Sequence, residues 1–432
     1  MTRRLDARSA DFETQFAALI DAMRDAEEDV SRAVSAIIDD VRARGDVAIV
    51  ELSARFDRAA LTPESIRVSA DEIERAYDAA PADVKDALRY AASRIDAYHR
   101  RQLPTDHSFT DDTGATLGWR WNAIQSVGLY VPGGTAFYPS SLLMNTVPAR
   151  VAGVSRLVMT TPATGGTINS LTLAAAKIAG ISEIYRIGGA QAIAALAYGT
   201  QTITPVDKIV GPGNAYVAAA KRQVFGTVGI DSIAGPSEIL VLADGANDPA
   251  WIAADLLSQA EHDPSSQSIL ITDDANFADQ VAGAIARELS MLARREIAAR
   301  SWQDNGAIIV VASLEAGCAL VDRIAPEHLE IATANPQALF DRIRNAGAVF
   351  LGRYTPEAIG DYVAGPNHVL PTSRTARFSS GLSALDFMKR TSVIACNPDA
   401  LAKLGSAAVK LAEAEGLGAH ARSIAIRLNR SR

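Results

Sequence analysis

The chain has 432 residues, of which 48% are hydrophobic and 21% are charged, a composition typical of a globular protein with roughly two to four domains. Its formal net charge of −8 at pH 7 argues against a nucleic acid or an anionic membrane as partner, and we expect neither. The first residues lack the apolar stretch of a signal peptide, and no apolar run reaches the roughly 18 residues of a membrane span, so we expect a cytoplasmic protein.

The chain contains two cysteines, Cys318 and Cys396, both flanked by small or apolar residues. Two cysteines this far apart provide neither a cysteine-type zinc site nor a disulfide framework, and we predict two buried free thiols. Any metal site must therefore be built from nitrogen and oxygen ligands.

The first hundred residues predict helices, and an alternation of strands and helices follows. Helical patterns run from Asp11 to about Gln102, in segments rich in alanine, arginine and glutamate. The next predicted elements are strand 127–131, a helix from about Ser140, strand 156–160, helix 172–179, strand 183–187, a helix from Gln191, strand 208–210 and a helix from Ala215. This alternation is typical of a parallel sheet with helices on both faces, and its glycines fall at strand ends, where ligands bind.

A second alternating block begins near Ser237 and fades near Pro371. Its predicted strands are 237–242, 268–272, 307–311 and 348–351, with helices between them. Two successive blocks suggest a duplicated architecture, although no repeat of individual residues supports it. A helical tail, broken at Gly416, follows.

One helix of the second block combines apolar and polar residues on a single face. It is predicted to begin at Asp248-Pro249, with aspartate as N-cap and proline in the first turn, and to end before Pro264. Its inward face carries, at helical spacing, Ile252, Leu256, Gln259 and His262. An isolated Gln-x-x-His pair is more often a solvated helix end, so the pair gains meaning only if further ligands exist.

Candidate ligands lie in the second half of the chain. Four of the six histidines are found there, namely His262, His328, His368 and His420. Glu327 precedes His328 in a turn or extended segment, where the two could edge one cleft as an acid/base pair or equally form a solvated turn. Asp361 and His368 share a glycine-punctuated loop. Amide and carboxylate oxygens with imidazole nitrogens suit zinc, with manganese or cobalt as alternatives.

A nucleotide site is less evident from the residues. The segment Gly211-Pro212-Gly213-Asn214 follows a predicted strand and opens a helix, but Tyr216 occupies the position of the third glycine of a dinucleotide fingerprint. The motif alone therefore does not predict NAD.

Together these motifs resemble the histidinol dehydrogenase family, whose members catalyse the last two steps of histidine biosynthesis. The resemblance runs in the family's order from about residue 125 to the C-terminus. The matching blocks begin at Gly128 (GLYVPGGT), Pro139 (PSS), Ile209 (IVGPGNA), Ala234 (AGPSE), Asp255 (DLLSQAEH), Pro326 (PEH), Ile359 (IGDY), Gly365 (GPNH) and Ala414 (AEGLGAHA). The block with Ser-Gln-Ala-Glu-His is highly specific.

The resemblance implies an α/β fold of two incomplete Rossmann-like parallel-sheet domains with helical N- and C-terminal extensions. It implies an N-terminal helical arm over residues 1–25 and a first Rossmann-like domain, with the zinc-binding and catalytic residues, over 26–126 and 237–380. A second such domain, over 127–236, would contact NAD, and a tail over 381–432 would donate residues to a partner subunit. Incomplete Rossmann-like domains also account for the missing glycine fingerprint.

The resemblance further implies one zinc ion per subunit and active sites shared between the subunits of a homodimer. The implied zinc ligands are Gln259, His262 and Asp361 of one subunit and His420 of the partner subunit. The zinc is expected to hold the imidazole and amine of the substrate, L-histidinol, without redox chemistry of its own. The implied substrate contacts are these four residues together with Ser237, Glu327, His328, His368 and Glu415.

The implied reaction is a four-electron oxidation. L-histidinol is oxidised to an enzyme-held L-histidinaldehyde, which is hydrated and oxidised to L-histidine, with two NAD reduced in all. His328 would remove the oxygen-bound proton in each oxidation, and Glu327 would activate the water. The implied NAD contacts are Tyr130, Gln191 and Asn214.

Three other interpretations remain open from the sequence. A relative could keep the zinc site and oxidise another small alcohol, although retention of the imidazole and carboxylate contacts argues against this. A non-catalytic α/β module could bind an amino-acid-like ligand, but it would have no use for an acid/base pair beside a metal. A zinc hydrolase would share the ligands and the glutamate, and would differ in needing no nicotinamide.

Overall fold

The structure, a computed structural model, describes residues 2–21, 28–133, 138–233 and 235–428. The predicted domain boundary between residues 25 and 26, the end of the Pro-Gly-Gly-Thr block and the alanine of the Ala-Gly-Pro-Ser-Glu block lie outside these ranges. The described residues form three sheets and a set of helices that cover two of them.

The strands are numbered in chain order. They are β1 (Arg3–Asp6), β2 (His107–Thr110), β3 (Thr116–Ala123), β4 (Ser126–Tyr130), β5 (Arg156–Thr160), β6 (Glu183–Tyr185), β7 (Lys208–Val210), β8 (Gly229–Ile230), β9 (Glu238–Ala243), β10 (Gln267–Thr272), β11 (Ala307–Val310), β12 (His328–Ala332), β13 (Ala348–Leu351) and β14 (Met388–Ala395).

The α-helices are numbered in the same way. They are α1 (Phe12–Asp21), α2 (Glu28–Arg44), α3 (Asp46–Asp57), α4 (Pro63–Ile66), α5 (Ala70–Ala79), α6 (Ala82–His99), α7 (Pro139–Ala152), α8 (Ser170–Ala179), α9 (Gly189–Tyr198), α10 (Ala215–Val224), α11 (Pro249–Ala260), α12 (Ala275–Leu289), α13 (Arg295–Asn305), α14 (Leu314–Ile324), α15 (Pro336–Phe340), α16 (Glu357–Tyr362), α17 (Pro398–Ala414) and α18 (Gly418–Leu428). Short 3-10 turns follow α6 and β5 and precede β14.

The first α/β block folds into a five-stranded parallel sheet in the order β6-β5-β4-β7-β8. Alternate residues of its strands face opposite cores, so that Leu129 packs among α5 to α8 and Val158 packs among α2, α3, α9 and α10. Because helices cover both faces, the central strands are buried on both sides and appear in the sequence as apolar runs rather than alternating ones. This is the parallel sheet that the sequence predicted.

The second block forms a six-stranded parallel sheet in the order β1-β11-β10-β9-β12-β13. Within each block, the strands lie in the order third, second, first, fourth, fifth, which is the Rossmann order without its sixth strand. The two blocks therefore share one topology, and the duplicated architecture is confirmed at the level of strand order. The sixth strand, β1, comes from the N-terminus and pairs with β11.

Several elements were not predicted, and each departs from a simple hydrophobic pattern. Strand β1 precedes the helices that begin near Asp11. Strands β2, β3 and β14 form a small antiparallel sheet in which β14 is almost wholly exposed. Strand β12 begins at His328, in a segment predicted as a turn or extended, and contains Glu330 although all five of its residues are buried. A buried strand that carries an imidazole and a carboxylate does not have the pattern of a core strand.

The prediction of two buried thiols is wrong for one of them. Cys318 is buried in α14, whereas Cys396 is exposed directly after β14. The small and apolar residues beside Cys396 lie on the outside of the antiparallel sheet rather than in a core. None of the helices in the described ranges is long and apolar enough to cross a membrane.

Candidate active site

Apart from Glu415 and His420, the predicted metal, substrate and acid/base residues lie near the amino ends of β9 and β12. Helix α11 follows β9 and returns to this edge of the sheet. Its predicted start is confirmed, since the Asp248 carboxylate accepts a hydrogen bond from the N–H of Ala250 at 2.8 Å and Pro249 occupies the first turn. The helix ends at Ala260, which leaves Gln259 and His262 at the amino edge.

The Gln259 and His262 side chains lie together at the end of this helix. The Gln259 Nε2 and His262 Nδ1 atoms are 3.5 Å apart. Gln259 is fully buried, and its Oε1 has no hydrogen-bond partner among the described residues. Burial lowers the pKa of His262, which keeps the imidazole neutral and able to ligate a cation. The carboxyl end of a helix also favours positive charge.

Glu327 and His328 are buried side by side where β12 begins. The Glu327 Oε2 accepts a hydrogen bond from the N–H of Glu238 at 2.9 Å. The His328 Nδ1 is 3.0 Å from the carbonyl oxygen of Glu238. Because a carbonyl can only accept, this Nδ1 carries the proton, and the Nε2 lone pair is left free. Burial raises the pKa of Glu327 well above its ordinary value and lowers the pKa of His328.

Asp361 and Glu357 reach the free nitrogen of His328 from the short helix α16, on which they are one turn apart. The His328 Nε2 lies 3.6 Å from Glu357 Oε1 and 4.0 Å from Asp361 Oδ1. Burial alone would raise the pKa of Asp361, but the hydrogen bond and positive charge of His368 outweigh it and lower that pKa. Burial raises the pKa of Glu357 well above its ordinary value.

Three buried polar atoms in this cluster lack hydrogen-bond partners among the described residues: Gln259 Oε1, His328 Nε2 and Glu357 Oε1. Buried polar atoms are nearly always paired, so their convergence indicates a site that receives a ligand. Donor atoms of His328, Glu357 and Asp361 lie within 4.8 Å of one another, close enough to surround a cation. The ligands predicted from the sequence, Gln259, His262 and Asp361, are a second candidate set, which shares Asp361 with this group.

His368 connects this cluster to the five-stranded sheet. Its Nδ1 is 3.0 Å from the Asp361 carbonyl oxygen, and its Nε2 is 3.1 Å from Ser141 Oγ in the first turn of α7. Ser237 is half-buried directly before β9, and its carbonyl oxygen accepts from the N–H of Gln267. The amino edge of the six-stranded sheet therefore faces the helix that follows the central strand of the other sheet.

His420 and Glu415 are not part of this cluster in a single chain. Glu415 is the C-cap residue directly after α17, and His420 lies in the first turn of α18. Both residues are exposed. None of the contacts described above for the cluster includes either residue. Their exposure contrasts with the burial of Gln259, Glu327 and His328.

The three predicted NAD contacts lie at the opposite, carboxyl edge of the five-stranded sheet. Tyr130 ends β4, and its hydroxyl oxygen accepts from the N–H of Gly189 at 3.1 Å. Burial raises the pKa of Tyr130 to about 12, so its hydroxyl stays protonated. Gln191 is buried in the first turn of α9. Asn214 is exposed and caps α10. Its Oδ1 accepts hydrogen bonds from the backbone N–H groups of Tyr216 and Val217 at 3.1 and 3.2 Å.

Sequence reasoning missed four residues that shape the cluster. Glu238 and Ser141 lie inside blocks that the resemblance had already marked. The signal for Glu357 was its spacing of four residues from Asp361, which places two acids on one helical face. Glu330 accepts the N–H of Glu357 at 2.5 Å, and its place two residues after His328 in a strand was the only available signal.

Two sheets with the Rossmann strand order, which meet where buried imidazole and carboxyl groups gather, are typical of an α/β enzyme. The family model described as histidinol dehydrogenase matches residues 21–428. The chain belongs to the histidinol dehydrogenase family, and it is an oxidoreductase of histidine biosynthesis.

Individual relatives agree with this family over nearly their whole length. The histidinol dehydrogenase of Rhodospirillum rubrum is 63% identical over 431 residues, covering 100% of this chain and 99% of the relative. That of Bradyrhizobium diazoefficiens is also 63% identical over 431 residues and covers 100% of both. The crystal structure of histidinol dehydrogenase from Elizabethkingia anophelis superposes with a TM-score of 0.94 at 37% identity, covering 99% of this chain and 98% of that one.

Proposed function

We propose that this chain oxidises L-histidinol to L-histidine through L-histidinaldehyde, with two NAD reduced, as the last two steps of histidine biosynthesis. The observation that carries the proposal is the buried Glu327–His328 pair beside the donors of Asp361. Each hydride departure from an alcohol requires removal of an oxygen-bound proton, and the free nitrogen of His328 faces the place where that oxygen would lie.

A zinc ion would be held by Gln259, His262 and Asp361, with His420 of the partner subunit completing the set. The support is the Gln259 Oε1, buried without a hydrogen-bond partner, and the neutral His262 imidazole beside the same amide. This mixture of nitrogen and oxygen donors without thiolate suits zinc. When bound, the zinc would orient the imidazole and amine of the substrate and would not change its own oxidation state.

His328 would accept the alcohol proton at Nε2. The Glu238 carbonyl holds the Nδ1 proton, and the lowered pKa keeps the imidazole neutral before reaction. NAD, when bound, would supply the hydride acceptor for the carbinol carbon, and His328 Nε2 would take the O–H proton, which yields the aldehyde. The Glu357 Oε1, 3.6 Å away, could accept a hydrogen bond from the Nε2–H of the imidazolium that forms.

Glu327 would activate the water that adds to the aldehyde. Its Oε2 is held by the N–H of Glu238 and lies 3.6 Å from the His328 Nδ1. Glu327 would take a proton from water as the oxygen adds to the carbonyl carbon, and the protonated His328 would return its proton to the carbonyl oxygen, which gives the hydrate and leaves His328 neutral. In the second oxidation NAD would serve as hydride acceptor, and His328 would take a hydroxyl proton from the hydrate, which yields histidine. The raised pKa of Glu327 makes it a stronger base than an ordinary glutamate.

The NAD would lie across the carboxyl edge of the five-stranded sheet, in contact with Tyr130, Gln191 and Asn214. The supporting observation is that β4 and β7 are neighbours with crossovers in opposite directions, the point at which such sheets bind dinucleotides. The domains would accordingly be 127–236 for NAD and 26–126 with 237–380 for zinc and chemistry, flanked by an arm over 1–25 and a tail over 381–432.

A homodimer would complete each site. Glu415 and His420 lie on a tail with exposed apolar side chains, including Leu411 and Leu417, which supports a contact with a partner subunit. Glu415 of the partner subunit, together with Ser237 and His368, would supply the remaining substrate contacts. We place the enzyme in the cytoplasm, where an exposed thiol such as Cys396 stays reduced.

The decisive experiment records the NADH absorbance band after addition of L-histidinol and NAD, before and after zinc is chelated. We expect two NADH per histidinol consumed and loss of activity on chelation, with recovery when zinc is restored. Product that forms without NAD would eliminate the dehydrogenase mechanism. The second candidate, oxidation of another small alcohol at the same zinc site, predicts faster turnover of simple or sulfonated diols than of L-histidinol.

A further inference from the structure

The carboxyl edge of the five-stranded sheet contains a buried ion pair for which the proposed reaction has no use. Lys221 lies in α10 and Asp231 follows β8, and their side chains are 2% and 4% exposed. The Lys221 ammonium donates a hydrogen bond to the Asp231 carboxylate. Lysine and aspartate are rarely buried unless they are paired, and the burial of two charges offers little net stability. The pair therefore indicates a role other than packing.

Both members of the pair also hold the backbone of Gly211. The Lys221 Nζ donates to the Gly211 carbonyl oxygen at 3.0 Å, and the Asp231 Oδ2 accepts from the Gly211 N–H at 2.8 Å. Gly211 has φ +115°, and a Cβ there would lie 2.1 Å from the Tyr130 carbonyl oxygen. Only glycine fits this conformation and this approach. The ion pair thus fixes the turn that leaves β7.

This turn determines where two of the proposed NAD contacts lie. On one side the Gly211 backbone abuts Tyr130 at the end of β4. On the other side, Asn214 follows three residues later and caps α10. The pair therefore sets the position of the amino end of α10 against the end of β4, and the amino end of a helix at such a junction is where a pyrophosphate binds.

We infer that Lys221 and Asp231 are positioning residues for the dinucleotide, which act through Gly211 without touching the ligand. The inference rests on the proposed use of NAD. If the pair is broken, the turn relaxes and both NAD and NADH bind more weakly. Zinc and L-histidinol are unaffected because their residues lie at the amino edge of the other sheet.

The test separates NADH binding from folding. NADH fluorescence titrations and thermal unfolding are measured on the zinc-loaded protein, for wild type, Lys221→Met, Asp231→Asn and the double variant Lys221→Met/Asp231→Leu. We expect each single variant to bind NADH about 10-fold or more weakly, as displaced ligand contacts do, and to raise the KM for NAD with little change in kcat. The KM for L-histidinol and the zinc content should stay at wild-type values.

The double variant distinguishes positioning from stability. Replacing both charges of a buried pair with apolar side chains often restores stability, but it leaves the Gly211 backbone unheld. A purely structural role predicts that thermal stability and NADH affinity return together in the double variant. The positioning role predicts that stability returns while NADH binding stays weak. If a single variant fails to fold, the double variant alone distinguishes the positioning role from the purely structural role.

Two further variants serve as controls. Glu183→Gln breaks the Arg156–Glu183 pair at the amino edge of the same sheet, and NADH affinity should not change. Lys221→Arg keeps the charge and should therefore bind NADH more tightly than Lys221→Met does, although more weakly than wild type. Equal NADH affinity in wild type and all Lys221 and Asp231 variants would overturn the inference. Failure of the wild-type enzyme to bind NADH would instead overturn the proposed use of NAD.

Discussion

The two parallel sheets have the same strand order but present ligands at opposite edges. In the five-stranded sheet the candidate dinucleotide residues lie at the carboxyl ends of the strands, as is general for open α/β sheets. In the six-stranded sheet the candidate catalytic residues Glu327 and His328 lie where β12 begins, at the amino edge. The contact between Ser141 and His368 brings these two edges together. In the proposed function, opposite use of one topology would let one half hold the hydride acceptor against the substrate of the other.

The two edges also differ in how their buried polar groups are satisfied. At the carboxyl edge, both backbone groups of Gly211 and the Tyr130 hydroxyl have hydrogen-bond partners. At the amino edge, Gln259 Oε1, His328 Nε2 and Glu357 Oε1 have none among the described residues. An unpaired buried polar atom destabilises a fold by about 1–3 kcal/mol. A ligand that pairs with these atoms is therefore expected to stabilise the amino edge.

The largest effects are expected for Glu327→Gln and His328→Ala, which remove the acid/base pair of the amino edge. Each should lower steady-state NADH production by about 10²-fold or more while zinc content stays near normal. Because Glu327 is assigned to hydration of the aldehyde, its variant should still form close to one NADH per site in rapid mixing. Glu296→Gln, at an exposed position of α13, is the control. Unchanged rates in both variants would eliminate the mechanism.

Zinc retention distinguishes the two overlapping donor sets of the amino edge. We expect His262→Ala to weaken zinc binding by more than the roughly 100-fold that loss of a supporting partner can produce. Glu357→Gln should retain zinc, because that carboxyl group is assigned to His328 rather than to the ion. Competition with a chelator, read by metal analysis, measures both. The reverse order would mean that His328, Glu357 and Asp361 are the metal site.

How far the sequence predicts this structure also differs between the two halves. Strands 156–160, 208–210 and 348–351 were predicted to the residue, because each is a short apolar run between turn residues. Strand β12 was missed because Glu327, His328 and Glu330 break the pattern of a buried strand. Functional residues are where local rules and the fold disagree.

Residue patterns predicted only part of the candidate site. The α11 face with Gln259 and His262 follows from helical spacing and capping, and the structure confirms that helix. The link from this face to Asp361 and His328 spans most of the second block and came from resemblance to a family, since long-range contacts leave no local signal. The roles of Glu238 and of the Lys221–Asp231 pair depend on backbone hydrogen bonds, which side-chain patterns do not encode.

Mixing two defective variants tests whether the amino edge is completed by a second subunit. His420→Ala and Glu327→Gln, each nearly inactive alone, should recover activity when dissociated and reassembled together. Random exchange makes half of the dimers mixed, and one of the two sites in each mixed dimer is intact, so about a quarter of wild-type activity is expected. The control mixes Glu327→Gln with His328→Ala. Because one chain supplies both residues to a site, every site of a mixed dimer keeps a defect, and activity should not reach this level if His420 comes from the partner. No recovery despite verified exchange would place His420 in the site of its own chain.

The smallest effect on NADH production is expected for Glu238→Gln, which instead changes how the stability of the amino edge depends on pH. Burial raises the pKa of Glu238 to about 7 from an ordinary 4.5. The folded protein therefore holds this proton up to about pH 7, and the unfolded chain releases it near pH 4.5. The resulting contribution to stability is fully present below pH 4.5 and is lost as the pH rises through 7.

A glutamine at position 238 cannot ionise and should keep that stability in alkaline solution. We expect denaturant unfolding of the zinc-free protein to show Glu238→Gln more stable than wild type by up to about 3 kcal/mol at pH 8, with little difference near pH 4.5. Glutamine can still accept the N–H of Ser373, which the Glu238 Oε1 accepts at 2.7 Å. An equal gain in the free energy of unfolding at both pH values would mean that the variant differs from wild type in packing and not in the buried charge.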